Sequence, residues 1–92
     1  MSEIKNRKQL RSLAHALKPV VFVGKLGHTD ALLKEIDTAL LAHELIKIQF
    51  QKSAISDSEE IANLVCKDLK AMMVEMRGHV ATIYRANPEG KN

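Results

Sequence analysis

The first apolar residues of the chain recur at the spacing of a helix that has one face on a core. They form a single stripe made up of Leu10, Leu13, Ala14 and Leu17. At about 100° per residue, the opposite side of this helix carries Arg7, Lys8, Arg11, His15 and Lys18. The pattern predicts a helix over residues 4–17 that ends before Pro19, because proline disfavours a helical conformation in the preceding residue.

Two strand patterns flank a second predicted helix. Residues 20–23 form a continuous, mostly β-branched apolar run, which is typical of a strand buried on both faces of a sheet. Thr29 is the expected N-cap of the helix, which ends near His43. Its inward side chains are expected to be Leu32, Leu33, Ile36, Ala39 and Leu40. Residues 45–51 then alternate, with Ile46, Ile48 and Phe50 on one face and Lys47, Gln49 and Gln51 on the other.

The last part of the chain predicts a third helix and a hairpin. Ser56 and Glu59 match the S-x-x-E capping box, which marks a helix start. The buried residues of this helix are expected to be Ile61, Ala62, Val65, Leu69 and Met72. In the following strand Val74 and Met76 alternate with Glu75 and Arg77. Gly78 favours a tight turn into a final strand that ends at residue 85.

The predicted order of elements is α-β-α-β-α-β-β. A strand–helix–strand unit favours a parallel pair of strands, and the closing hairpin adds an antiparallel pair. We therefore expect an α/β fold, a compact two-layer sandwich with a mixed four-stranded sheet. Residues 1–86 are expected to form one domain, followed by a flexible tail over residues 87–92.

Composition excludes several classes of protein. The chain has 92 residues, 46% of them hydrophobic and 27% charged, which suits one globular domain rather than a disordered chain. It has one cysteine, so neither an internal disulfide nor a cysteine-rich zinc site is expected. The histidines show no metal-binding spacing, and we expect no metal and no cofactor. Neither a membrane span nor a secretory signal is indicated, so we expect a soluble protein of the cytoplasm.

Charge is distributed unevenly along the chain. Residues 1–28 hold six basic residues and one acidic residue, a net charge of +5, within a total of only +3. Residues 29–75 carry a net −4, and residues 76–92 a net +2. This asymmetry favours a polyanion partner on one side of the molecule, although a charged helix face can also be merely solvated. Phe22, Phe50 and Tyr84 are the only aromatic residues, so a stacking platform for several bases is not expected.

A glycine-rich segment joins the first predicted strand to the second helix. Gly24, Lys25, Leu26 and Gly27 form a G-x-x-G sequence. Glycines permit close approach of the backbone, and the helix that follows offers free N–H groups, so the segment suits phosphate binding. KH domains clamp a nucleic-acid backbone with such a loop. The alternative is steric, since turns between strands and helices often need glycine.

The residues from Leu17 to Thr29 resemble the signature of the CRM domain, in its stand-alone bacterial YhbY-type form. His43–Ile48 and the segment Ile83-Tyr84-Arg85 resemble two further parts of that family, and the likeness covers residues 4–86. It implies an α/β sandwich similar to the C-terminal domain of translation initiation factor three. Related sequences often carry Thr-Gly before the third strand, where this chain has residues 70–73. The end of the third helix and the register of the third strand therefore stay open.

The resemblance implies an RNA-binding protein rather than an enzyme. Stand-alone bacterial members associate with precursors of the large ribosomal subunit, so we expect a monomeric ribosome-assembly factor that binds structured ribosomal RNA. The family's RNA-contacting loop corresponds to Gly24, Lys25, Leu26 and Gly27. Its basic surface corresponds less strictly to Arg7, Lys8, Arg11 and Lys18.

Two further residues are candidates for the same interface. His28 either contacts RNA or simply leads into the helix, and Arg85 either extends the basic surface or is solvated. Two other functions stay open: a protein-interaction module that uses the acidic middle segment, and a binder of small phosphorylated ligands that uses the glycine loop. No paired carboxylates or Ser-His-Asp set accompany the glycines, which disfavours an enzyme.

Overall fold

The computed structural model describes residues 6–24, 29–51 and 55–87, with the side chains of residues 55–57 excepted. Over these residues the helices are α1 (Arg7–Ala14), α2 (Asp30–His43) and α3 (Ile55–Leu69). The strands are β1 (Val21–Val23), β2 (Leu45–Phe50), β3 (Met72–Arg77) and β4 (Val80–Tyr84). The predicted order of elements is confirmed.

The four strands form one mixed sheet in the order β1-β2-β4-β3. β1 and β2 are parallel, joined by α2, whereas β4 is antiparallel to both β2 and β3. A two-residue turn closes the β3–β4 hairpin, and its first residue, Gly78, has φ +60°. Type II′ hairpin turns reserve this conformation for glycine. The predicted α/β sandwich with a mixed four-stranded sheet is confirmed.

The main core lies between α2, α3 and one side of the sheet, here called the core face, which carries Ile46, Ile48, Phe50, Ala81 and Ile83. The strict alternation of β2 is confirmed, since its three apolar side chains on this face are buried. Full burial of each large aliphatic or aromatic side chain contributes about 1.5–3 kcal/mol. The buried members contributed by the helices and β1 are Val21, Val23, Leu32, Ile36, Leu40, Ala62, Val65 and Cys66.

The opposite side of the sheet, here called the α1 face, carries Phe22, Lys47, Gln49, Thr82 and Arg77. α1 packs there against β2, β3 and β4, through the fully buried Leu10 and Ala14. Helices therefore pack on both sides of the sheet. The predicted two-layer sandwich consists of the sheet with α2 and α3 on its core face, and α1 covers part of the other face.

β1 is not buried on both faces, contrary to the prediction. Val21 and Val23 point into the core, but the Phe22 side chain between them is 65% exposed. β1 lies at the edge of the sheet, and α1 packs on the other three strands. The apolar run therefore contains one aromatic ring that faces outward.

α1 is shorter than predicted. It begins after Asn6, whose side chain accepts a hydrogen bond from the Gln9 N–H at 2.8 Å in a reciprocal capping box. It ends at Ala14, so Leu13 and Leu17 are 52% and 37% exposed rather than part of a continuous buried stripe. Residues 4 and 5 of the predicted helix lie outside the described residues.

The predicted start of α3 and the assignment of Met72 to this helix were wrong, and the structure settles the end that the sequence left open. The helix already includes Ile55, so Ser56 is a helical residue and not the N-cap. Serine and glutamate both occur readily in a first turn, and their spacing alone does not locate the cap. α3 ends at Leu69, and Met72 is the first residue of β3.

A left-handed residue and a bulge connect α3 to the sheet. Lys70 has φ +57°, and the Ala71 N–H donates to the Cys66 carbonyl at 2.8 Å, as in a Schellman motif. The register of β3 against β4 then shifts between Met73 and Glu75. The predicted alternation through β3 is therefore broken, with Val74 as the extra residue of the bulge.

Replacing Lys70 with glycine is expected to raise the free energy of unfolding by about 1 kcal/mol, because glycine adopts the left-handed conformation without the Cβ penalty. Urea denaturation measures the change. The matched control is Lys34→Gly, at an exposed position inside α2, where glycine should lower stability by about 1 kcal/mol. A loss of stability in both variants would contradict the assigned backbone conformation.

Candidate nucleic-acid interface

Gly24 directly follows β1, at an exposed position. Its φ lies outside the left-handed region. Among the described residues, the atom nearest to an added Cβ would be Gln51 Oε1 at 3.7 Å, which is ordinary contact. Within the described part of the chain there is therefore no steric reason for glycine at this residue, and a ligand could approach its backbone closely. Lys25, Leu26, Gly27 and His28 lie outside the described residues.

The amino end of α2 follows this segment directly. Thr29 is its N-cap, as predicted, and its Oγ1 accepts a hydrogen bond from the Leu32 N–H at 3.1 Å. Asp30 lies in the first turn. The cap uses the threonine hydroxyl oxygen, while the helix dipole places partial positive charge at the end of the helix that follows the glycine loop.

The predicted basic surface lies mostly on the exposed side of α1. Arg7, Lys8 and Lys18 are exposed, whereas Arg11 is half-buried. Lys18 precedes β1 and Gly24 follows it, so the two residues lie toward opposite ends of that strand. Six residue steps at ~3.3 Å each allow at most about 20 Å between their Cα atoms. A strand of several nucleotides spans that distance.

Arg85 is used inside the fold. Its guanidinium forms an ion pair with the Asp37 carboxylate at 2.8 Å and donates to the Leu69 carbonyl at 3.0 Å. The Asp37 carbonyl accepts a third, longer hydrogen bond at 3.4 Å. The side chain is only 20% exposed. Arg85 therefore ties α2 to the end of α3, and the interface proposed below does not depend on it.

Sequence reasoning missed a row of side chains that crosses the α1 face. Phe22 lies opposite Gln49, Gln49 opposite Val80, and Val80 opposite Arg77. Strands lie about 4.8 Å apart, so the row spans about 14 Å from Phe22 to Arg77. The Arg77 side chain is 80% exposed and contacts Glu75 at 3.3 Å. The alternation of β2 correctly placed Gln49 on this face. Phe22 was missed because β1 was predicted to be buried on both faces.

An apolar groove of about 560 Å³ lies at the other end of the sheet, between the end of α1 and the start of β2. Leu13, Leu17, Val20 and Tyr84 line it. Burial, and secondarily the nearby Glu44 carboxylate, raises the pKa of the Tyr84 hydroxyl. The phenol therefore stays protonated at neutral pH.

A metal site, a cysteine nucleophile and a membrane span would each require particular features of the described part of the chain. No group of three or more His, Cys, Asp or Glu side chains is placed there to hold a metal ion. Burial raises the pKa of the Cys66 thiol to about 11, so it is a neutral core residue and not a nucleophile near pH 7. None of the helices described has the length and apolar character needed to cross a membrane.

The fold and these surfaces define a small α/β domain with a basic helix on one side of its sheet and an exposed glycine, Gly24, directly after β1. The family model for the CRS1/YhbY (CRM) domain matches residues 3–85, and the chain belongs to this family. It is 38% identical to a Haemophilus influenzae protein named "RNA-binding protein", over 95% of this chain and 88% of that one. It is 34% identical to the Bacillus subtilis "Probable RNA-binding protein YqeI", over 95% and 91% of the two chains.

A solved structure has the same fold. The solution structure of a hypothetical protein from Staphylococcus aureus superposes with a TM-score of 0.80 at 33% identity. The match covers 99% of this chain and 95% of that one. The predicted CRM family assignment is confirmed.

Replacing Arg85 with alanine is expected to lower the free energy of unfolding by about 2 kcal/mol, because two partly buried carbonyls and a carboxylate lose a charged donor. Arg77→Ala is the matched control, since its exposed ion pair should contribute less than about 0.5 kcal/mol. Urea denaturation of both variants measures the difference. Equal losses would contradict the structural role assigned to Arg85.

Proposed function

We propose that this protein binds RNA on the α1 side of its sheet, mainly through phosphate contacts. The observation that carries the proposal is the separation of charge by the sheet. α1 holds three basic residues, Arg7, Lys8 and Arg11, and no acidic residue. On the core side, α2 beyond its first turn holds Glu35 and Asp37 with a single lysine, and α3 holds four acidic residues with a single lysine. A polyanion is therefore attracted to one side of the domain and repelled by the other.

The glycine loop supplies a second element of the proposed interface. Among the described residues, the exposed Gly24 has room for a side chain yet carries none, and the amino end of α2 follows the loop in the chain. Backbone N–H groups there hold one phosphate, and Lys25 neutralises it. Arg7, Lys8, Arg11 and Lys18 contact neighbouring phosphates along the same strand. The names of the Haemophilus and Bacillus relatives support RNA as the ligand.

Within RNA, we propose structured precursors of the large ribosomal subunit as the target. This follows from the resemblance to stand-alone bacterial members of the family, which associate with such precursors. The protein then acts in the cytoplasm as a monomeric assembly factor, without catalysis. Recognition through phosphates and shape suits a folded RNA, because the major groove of an RNA helix is too narrow for side chains to read.

Reversing two charges on the proposed interface is expected to weaken RNA binding roughly tenfold or more. The variant combines Lys8→Glu with Lys25→Glu, and the probe is a fragment of large-subunit ribosomal RNA. Each lost phosphate contact should also reduce the slope of log affinity against log salt by roughly 0.7–0.9. Titrations at several salt concentrations measure both effects, and a transfer RNA tests preference for the ribosomal fragment.

The matched control combines Lys34→Glu with Lys67→Glu, two exposed residues of α2 and α3. It has the same net charge as the test variant but changes the opposite side of the sheet. It should keep most of the wild-type affinity. Equal loss in both variants would show that only net charge matters, and wild-type affinity that does not vary with salt would contradict a phosphate interface.

A further inference from the structure

Phe22 is the most exposed of the large apolar side chains in the described part of the chain, at 65%. It projects from an edge strand between two buried valines, so the backbone of β1 holds it in place. An aromatic ring exposed to this extent loses much of the favourable free energy that burial would contribute. Its position on a fixed strand, rather than on a loop, suits a surface that binds a flat ligand.

The ring borders an open pocket of about 460 Å³ at the carboxyl ends of β1 and β2. Gly24, Gln49, Gln51 and His79 also line this pocket. Its floor is rigid, because the Gln51 N–H donates to the Val23 carbonyl at 2.9 Å and the Phe50 N–H donates to the His79 carbonyl at 2.7 Å. Ligands of open α/β sheets commonly bind outside the carboxyl ends of the strands.

We propose that this pocket holds one unpaired nucleobase of the bound RNA, stacked on Phe22. Proteins that recognise single-stranded RNA stack unpaired bases on aromatic rings and hydrogen-bond their edges. The ring supplies the stacking surface, and Gln49 and His79 supply donors and acceptors for the base edge. A single ring fits one base and is not a platform for several, which agrees with the scarcity of aromatic residues.

The position of Gly24 favours a base over other flat or apolar ligands. Phe22 lies two residues before it, a distance of about 7 Å along the strand. A phosphate held at the glycine loop therefore leaves its own or the adjacent base within reach of Phe22. Arg77, whose side chain is 80% exposed, ends the same cross-strand row on β3, where it lies in the path of a later phosphate of a strand that crosses the sheet.

This inference rests on the proposed function and adds a ligand feature to it: an unpaired nucleotide within the structured RNA. The wild-type chain has no tryptophan, so Phe22→Trp places the only tryptophan of the variant at the proposed stacking site, where it can be excited selectively over Tyr84. The probes are a stem–loop RNA with a loop of mixed sequence and a fully paired RNA of the same length. We expect the stem–loop to quench the tryptophan emission strongly and the duplex to quench it little.

The matched control for fluorescence is Leu64→Trp, at a residue of α3 that is 42% exposed and lies among Glu59, Glu60 and Lys67. Its emission should not change with either RNA. Phe22→Ala provides a second measurement without a fluorophore. It should lower affinity for the stem–loop by about 5- to 100-fold and leave affinity for the duplex unchanged.

The outcomes separate the two proposals. If the wild type binds both RNAs, but the emission of Phe22→Trp is not quenched and Phe22→Ala binds normally, the base pocket is wrong and phosphate binding stands. If the wild type binds neither RNA, the proposed function fails and the base pocket fails with it. Equal weakening of stem–loop and duplex binding by Phe22→Ala also contradicts a base-stacking role.

Discussion

The pairing of β2 with its neighbours is the constraint on which the rest of the molecule depends. β2 is paired on one side with β1 and on the other with β4. Its alternate side chains either enter the core or lie on the α1 face. A shift of one residue would exchange the two sets, exposing Ile46, Ile48 and Phe50 and burying Lys47 and Gln49. The large free-energy cost of that exchange specifies the register, and the register places Phe22 opposite Gln49.

The sheet also separates two electrostatic environments. The acidic helices α2 and α3 cover the core face, and their packing supplies most of the buried apolar surface. The short basic helix α1 covers part of the other face and is anchored by Leu10 and Ala14. α1 leaves the carboxyl ends of β1 and β2 open, and there Phe22 and Gly24 border a pocket on the sheet. The main hydrophobic core thus lies on one face of the sheet, and the proposed RNA interface lies on the other.

Sequence patterns predicted the features that depend on local chemistry. They located the alternation of β2, the Thr29 cap and the Gly78 turn, as well as the family. They failed where the answer depends on distant parts of the chain. A run of four apolar residues does not reveal whether a second layer covers it, so Phe22 was placed in the core. Arg85 meets Asp37, 48 residues earlier, and no local pattern predicts that contact. The left-handed Lys70 was also hidden, since lysine does not favour that conformation.

The central claim is that RNA binds on the α1 side of the sheet, and amide chemical shifts test it most directly. Spectra of the ¹⁵N-labelled protein would be recorded during titration with the stem–loop RNA at low salt. If RNA binds on this side, the largest changes should occur in α1, in the segment between β1 and α2, and at Phe22, Gln49 and Arg77. Changes confined to the outer surfaces of α2 and α3, with α1 and the glycine loop unaffected, would contradict it.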